Sequence, residues 1–333
     1  MRIRTKITER LKIALPIIQA PIGSATCPRL AAAVSNAGGL GMLAITWGDI
    51  QHARHAIRET RAQTDHPFGI NLVLQWDQRE RLELCLAEEV PVLSFSWGDP
   101  KPYLAAAHEA GAVVMQTVGS AAEAKRMVEA GVDIVVAQGW EAGGHVRGQV
   151  ATMALVPPVV DAVSPTQVIA AGGIADGRGL AAALMLGASA VFIGTRFLAS
   201  EEAHIHSLYR ESLLKASEAD TVYTTLFNGG WPDAPHRVLQ NNTFVNWKNA
   251  GCPPDGERPK ENEVAAVSAS GEKILYYQDA IPVPETTGDI VGLALYAGQS
   301  AGLVSEVKPA AVIVREIAEQ AIRTIENLAA REP

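Results

Sequence analysis

One histidine stands where it could move protons. His145 closes the run Gln138-Gly139-Trp140-Glu141-Ala142-Gly143-Gly144-His145, and Gly148 follows closely. Glycines on both sides leave room for a ligand against the ring. An imidazole titrates near neutrality, which suits removing a proton from a carbon acid or returning one to a product. Two further runs could hold an anion, Gly172-Gly173-Ile174 and Gly194-Thr195-Arg196. Glycine lets the backbone approach a phosphate closely and turn its N–H groups toward the oxygens. A helix starting near Asp176 would add the positive end of its dipole. A lone Gly-Gly is equally a tight turn, but two glycine loops in register point to a phosphorylated ligand. Glu141 reads either as a helix-capping group or as a solvated loop carboxylate. The other histidines show no metal-ligand pattern such as His-Glu-x-x-His, so no catalytic metal is expected.

These residues need elements to hold them, and the chain alternates strand-length apolar runs with Ala-rich helical segments. The expected strands are Pro16–Gln19, Gly41–Ala44, Phe68–Leu72, Pro91–Phe95, Ala112–Thr117, Asp133–Gln138, Gln167–Ala171 and Ala190–Gly194. Each is nearly all apolar, as parallel strands buried on both faces require. Helices are expected over Pro28–Asn36, Asp49–Gln63, Pro100–Ala110, Ser120–Ala130 and Arg178–Leu186, with Ser120 and Glu123 forming a capping box. The joints Glu109-Ala110-Gly111-Ala112 and Glu129-Ala130-Gly131-Val132 are near-duplicates, one per βα unit. Eight such units favour a closed (β/α)8 TIM barrel, whose site lies at the carboxyl ends of the strands. Gln19-Ala20-Pro21, Asn71, Gln116, Gln138 and the glycine runs all follow strands, and His145 follows the sixth, across from the glycine loops.

The pattern changes near residue 219. Asn228–Gly256 is rich in Gly, Pro, Asn and Trp without a clear period, and reads as an ordered, irregular insertion in which Trp231, Phe244 and Trp247 must pack. Two helices, Ile290–Ser300 and Pro309–Ala330, are expected to close the chain. The expected organisation is a barrel over 1–218, an irregular substrate-covering insertion over 219–292, and C-terminal helices over 293–333 that pack back on the barrel.

Composition narrows the classes. The 333 residues are 48% hydrophobic, with a formal net charge of −8. That is enough for a large core, and an acidic chain without a basic run is a poor match to nucleic acid or an anionic membrane. No run approaches a membrane span, and the basic start is followed by too short an apolar stretch for a signal. Cys27, Cys85 and Cys252 are scattered, which gives no disulfide framework and fits a reducing, cytoplasmic setting. A monomer or a homodimer is expected.

At the chemistry-bearing residues the sequence resembles a known family. Ala137-Gln138-Gly139-Trp140-Glu141-Ala142-Gly143-Gly144-His145 resembles the signature of the nitronate monooxygenases, formerly 2-nitropropane dioxygenases. Pro16-Ile17-Ile18-Gln19-Ala20-Pro21 and Ala31–Gly41 resemble their N-terminal motif, Ala170–Ile174 and Gly187–Phe197 their phosphate-binding region, and Tyr296-Ala297-Gly298-Gln299-Ser300-Ala301-Gly302 a C-terminal motif. The resemblance implies FMN as cofactor and His145 as catalytic base. Gln19, Ala20, Pro21, Asn71, Gln116, Gln138, Gly143, Gly144, Gly172, Gly173, Gly194 and Thr195 become the expected cofactor contacts. Tyr296 and Gln299 are the expected substrate contacts. It further implies oxidation of a small nitronate or nitroalkane by O2 to a carbonyl compound and nitrite, with the flavin carrying the electrons. Rival readings are a flavin-dependent enoyl-acyl-carrier-protein reductase, an NAD(P)H:quinone reductase, and a flavin-free phosphate-binding isomerase or lyase.

Overall fold

The computed structural model describes residues 2–330; the end of the expected C-terminal region, 331–333, lies outside them. All eight expected strands form: β1 (Ile17–Gln19), β2 (Gly41–Ala44), β3 (Phe68–Val73), β4 (Val92–Ser96), β5 (Val113–Val118), β6 (Ile134–Gln138), then, after a short β7 (Gly144–His145), β8 (Gln167–Ala171) and β9 (Ala190–Ile193). The eight lie parallel in the order β1-β9-β8-β6-β5-β4-β3-β2. A parallel bridge between Ile18 and Leu40 joins the two edges, with Gln19 N donating to Leu40 O at 2.9 Å. The barrel is thereby closed.

Alternation along each strand sorts side chains inward or outward. Ile18, Met42, Met115, Val136 and Ile169 fill the interior, and α1 (Lys6–Leu11) plugs its amino-terminal end with Ile7 and Leu11. Outward residues such as Leu93, Phe95, Val135 and Val191 meet the helices. Those helices are α2 (Pro28–Asn36), α3 (Ile50–Gln63), α4 (Arg79–Ala87), α5 (Lys101–Glu109), α6 (Ala121–Ala130), α7 (Thr152–Val163) and α8 (Gly177–Met185), with a one-turn α9 (Thr195–Leu198) after β9 and α10 (Ser207–Lys215) beyond it. With the interior packed and one end plugged, the open end is the carboxyl face.

Two local expectations change. Ser120 does cap α6, accepting from Glu123 N at 3.2 Å, but the Glu123 carboxylate takes Gly119 N at 2.8 Å instead of the Ser120 amide. No capping box closes. The expected helix over Ile290–Ser300 is not there. Two short 3-10 turns, Ile290–Gly292 and Gln299–Leu303, flank an extended stretch that pairs Tyr296 with Val238 and gives Leu295 O to Leu239 N at 2.8 Å. That run is buried throughout, so nothing in it marks a helical face.

The segment over the carboxyl face is irregular but built. β10 (Thr221–Thr224) and β11 (His236–Leu239) pair antiparallel, and β7 joins β11 with His145 opposite His236. Here α11 (Asn242–Asn249) is capped by Asn241 and packs Phe244 against Trp247. A second small sheet combines β12 (Val264–Val267), β13 (Lys273–Leu275) and β14 (Thr287–Gly288). The chain ends in α12 (Ala310–Ala329), which lays Ile313, Val314, Ile317, Ala318 and Ala321 on α8 and α2. Among the described residues no helix is long and apolar enough to cross a membrane.

Candidate active site

A cavity of about 540 Å3 opens at the carboxyl face, and His145 lines it. The histidine is held as a strand residue: Gly144 and His145 pair with Arg237 and His236, and Val146 N donates to Pro235 O at 2.8 Å. Gly144 reaches this register at φ 77, which an L side chain rarely adopts. The ring stacks on Trp231 at 4.0 Å between centroids and meets Tyr296, His236 and Trp97 at 5.4, 5.3 and 6.1 Å. Trp97 itself sits at φ 54, a strained backbone for a bulky residue and the kind of outlier that marks functional loops.

Burial sets the electrostatics. It pushes His145 down to about 3, helped by His236. It pushes His236 down to about 4 against the Ala234 carbonyl, which favours the charged ring. It also pushes Asp279 up to about 6, although the Tyr296 hydroxyl donates to that carboxylate. Tyr296 is held well above its usual range by burial and by Asp279. Asp279 Oδ2 lies 3.7 Å from His145 Nε2. A carboxylate so close favours an imidazolium, whereas burial moves both groups toward their neutral forms. We read the pair as a neutral imidazole facing a carboxyl group that ionises near the physiological range.

The glycine runs line the cavity beside the histidine loop, not across from it: a Cβ on Gly172 would meet Gly139 O at 3.1 Å, and one on Gly173 would meet Glu141 at 3.2 Å. Gly172 and Gly173 turn the chain after β8 at φ 103 and 70. Among the described residues, no protein acceptor takes the backbone N–H of Ile174, Thr195 or Arg196, although all three residues are buried. Such donors require a partner, and a phosphate oxygen supplies one. The expected dipole contribution of the helix near Asp176 is corrected: Asp176 caps α8 itself, taking the Arg178 and Gly179 amides, so that terminus is already satisfied. The apolar floor of Ala44, Val73, Val136, Ala171 and Phe192, the polar Asn71, Ser96 and Gln138 above it, and these free donors together fit a flat, phosphorylated cofactor.

Two distant motifs meet behind the wall. A Cβ on Gly143 would lie 2.5 Å from Gly298 N, and one on Gly298 would lie 2.7 Å from Gly143 N. Gly298 N donates to Thr195 Oγ1 at 3.0 Å and Gln299 N to Glu141 O at 3.0 Å. The carboxyl-terminal motif thus ties the histidine loop to the glycine loop. Glu141 proves to be the capping group, accepting Thr152 N at the start of α7.

The cavity gathers Ala20, Pro21, Asn71, Gln138, Gly143 and Gly144 with Gly172, Gly173, Gly194, Thr195, His145 and Tyr296. Three expected contacts do not join them. Gln19 shares the outward parity of Ile17 and spends its amide on the barrel seam, accepting from Met42 N at 3.0 Å. Gln116 lies between outward-facing Val114 and Val118. Gln299 is exposed, and its neighbour Ser300 lines the cavity instead. Sequence reasoning missed Asp279 and the tryptophan wall of Trp47, Trp76, Trp97 and Trp231, whose rings contact one another at 5.0 to 6.1 Å. The placement of Trp47, Trp76 and Trp97 just past β2, β3 and β4 was the available signal for the wall; nothing distinguished Asp279.

The profile of the nitronate monooxygenase family matches residues 4–81 and 76–320. A nitronate monooxygenase of Pseudomonas aeruginosa is 35% identical, covering 95% of this chain and 98% of its own. A (3aS,4S,5R,7aS)-5-hydroxy-7a-methyl-1-oxo-octahydro-1H-indene-4-carboxyl-CoA dehydrogenase of Mycobacterium tuberculosis is 42% identical over 72% of this chain and 67% of its own. The structure of FabK from Thermotoga maritima superposes with a TM-score of 0.82 at 36% identity, covering 98% of this chain and 99% of that one. The chain belongs to the nitronate monooxygenase family and is a flavin oxidoreductase of that type.

Proposed function

We propose that this enzyme binds FMN and oxidises a small nitroalkane, deprotonated in the cavity, or its nitronate, with O2, giving a carbonyl compound and nitrite. The observation that carries the reading is His145: a largely buried imidazole, held toward its neutral form, with no hydrogen-bond partner on its side chain among the described residues, set in the cavity wall. A neutral ring has a free lone pair for the proton of an acidic C–H beside a nitro group, but the burial that keeps it neutral also weakens it as a base, so the imidazolium it forms needs the facing Asp279 carboxylate. The cavity-lining residues include no Lys or Arg, which favours a neutral substrate over a preformed anion.

Gly173, Gly194, Thr195 and the free amides beside them would hold the phosphate, and Asn71 and Gln138 would hold polar edges of the ring system over the apolar floor. Bound there, FMN supplies the electron acceptor and the route to oxygen. The protein's own part is to seat the substrate between the floor and His145, take its proton, and exclude water with Trp97, Trp231 and Tyr296.

A second reading draws on the tryptophan wall, which runs from buried Trp231 to half-exposed Trp47. That extended apolar surface suits a larger acyl chain or ring, as in a CoA thioester like the one named for the Mycobacterium tuberculosis relative. The test is His145→Asn assayed with a neutral nitroalkane and with the preformed nitronate. Loss of at least about 100-fold on the nitroalkane, with the nitronate little affected, supports the base assignment. Equal turnover of the nitroalkane by the variant removes it.

A further inference from the structure

Which nitrogen of His145 takes the proton, and what keeps it free to do so, follows from the groups around the ring. Among the described residues Nε2 is sealed and unpartnered, and it faces Asp279 Oδ2 at 3.7 Å. Nδ1 also lacks a partner among the described residues but is not sealed, so it is the nitrogen left to the cavity. His236 cannot exchange a proton with the ring. Its Nε2 accepts from Phe227 N at 3.3 Å and its Nδ1 faces Ala234 O at 2.9 Å, which fixes a neutral ring with the hydrogen on Nδ1.

Asp279 is anchored independently. Its backbone N donates to Gly229 O at 2.9 Å, and its Oδ1 accepts from the Tyr296 hydroxyl. The Tyr296 carbonyl in turn accepts from the buried Tyr209 hydroxyl. Asp279 is therefore held toward the imidazole by contacts that do not involve the imidazole.

We propose that Asp279, steadied by Tyr296, is the positioning residue that keeps the His145 proton on Nε2 and turns the Nδ1 lone pair to the substrate. The proposal rests on His145 being the base. When the substrate C–H bond breaks, its electron pair stays on carbon, delocalised into the activating group, and the proton bonds to Nδ1. The positive charge then formed on the ring faces the Asp279 carboxylate, which stabilises it without taking the proton. The 3.7 Å contact is longer than a hydrogen bond and must shorten when the site is filled for the carboxylate to act in this way. The titratable groups facing His145 are Asp279 and Tyr296 from the cover and His236 from β11, with Tyr209 behind Tyr296.

The test uses holoenzyme carrying 15N-histidine, with two-bond proton–nitrogen spectra reading the His145 tautomer in the wild type, Asp279→Leu and Asp279→Asn. The wild type is expected with its proton on Nε2. Asp279→Leu should move it to Nδ1 or to a mixture, and lower kcat for the neutral nitroalkane on the order of 100-fold with KM nearly unchanged. Asp279→Asn keeps an acceptor but no charge. It should keep the tautomer, lose rate, and lose the rise in kcat near pH 6 that Asp279 ionisation gives. A wild-type ring protonated on Nδ1, or an unchanged tautomer and rate in Asp279→Leu, overturns the proposal. If Asp279→Leu does not fold, a rise near pH 6 that persists in Asp279→Asn overturns it equally. The spectra report on Asp279 whatever His145→Asn does to turnover, so failure of the base assignment is seen separately.

Discussion

The floor of the cavity is assembled at strand ends. Asn71, Gln138, Gly172 and Thr195 belong to or follow β3, β6, β8 and β9, and part of what they offer is backbone. The cover comes from residues 219–309, where Trp231, His236, Asp279 and Tyr296, all far from His145 in sequence, converge on its ring, and what they offer is side chains. A rigid parallel barrel can present amides to a phosphate whatever side chains surround it. Setting the acidity of one imidazole takes burial, a carboxylate and an aromatic face, and these come from the cover. The comparison assigns cofactor retention to the floor and proton chemistry to the cover, so damage to each should show in a different measurement.

The largest effect should come where floor and cover are spliced. Gly143→Val places a side chain against Gly298, where even a Cβ meets backbone nitrogen at 2.5 Å. It should separate the histidine loop from the carboxyl-terminal motif and leave the purified protein without flavin, read from the visible spectrum. Flavin retained at wild-type stoichiometry would break the comparison at its joint.

Trp231→Ala removes a ring that is 4% exposed and stacked on His145. The expected cost is about 3–5 kcal/mol of stability by urea unfolding. With less burial the imidazole should titrate closer to its ordinary range by proton NMR, while flavin affinity changes little. A flavin loss equal to that of Gly143→Val would show that the cover also holds the cofactor.

Acid should weaken the cover before the floor. His145 and His236 are pushed from 6.5 down to about 3 and about 4, so the unfolded chain takes up protons that the folded chain refuses. Stability present above about pH 6.5 is therefore lost as pH falls toward 4. Asp279, raised from 3.8 to about 6, opposes this by binding a proton only in the folded state over that window. Two histidines against one carboxyl leave a net loss, about 1–2 kcal/mol for each histidine near pH 5. His236→Gln should reduce the drop in unfolding midpoint between neutral and acidic buffer.

The smallest effect is expected at Gln116. Its Oε1 is buried without a partner on the outer side of β5, so Gln116→Leu removes an unsatisfied group. Stability should change by no more than about 1 kcal/mol, with flavin retained. Loss of flavin there would return Gln116 to the cofactor site.

Much of the floor was legible in the sequence because parallel strands buried on both faces are almost wholly apolar, and each is punctuated by a polar residue or glycine at its end. What failed there was parity. Gln19 ends β1 and Gln116 lies inside β5, yet Ile17 and Val114 share their outward face, while Asn71 and Gln138 fall on the inward one. Helix α7 was not legible because Pro157 and Pro158 break the helical pattern of the sequence, and the group that caps its amino end, Glu141 on the Thr152 amide, comes from the preceding loop. The stretch over Ile290–Ser300 misled because its centre, 293–297, is an apolar run buried on all sides and carries no period. Asp279 and Trp231 were unreadable as site residues. They reach His145 through the long-range pairing of β7 with β11 and the Tyr296–Val238 bridge, and no local pattern encodes either.

The central claim is that a flavin in this barrel receives electrons from a carbon acid deprotonated in the cavity. It is tested most directly by the visible spectrum of the anaerobic holoenzyme, mixed first with a neutral nitroalkane and, on a fresh sample, with NADH or NADPH. The account predicts bleaching of the flavin bands by the nitroalkane alone, faster as pH rises through about 6 and lost in His145→Asn. Bands untouched by the nitroalkane and its nitronate but bleached at once by a pyridine nucleotide would contradict it and make the enzyme a reductase.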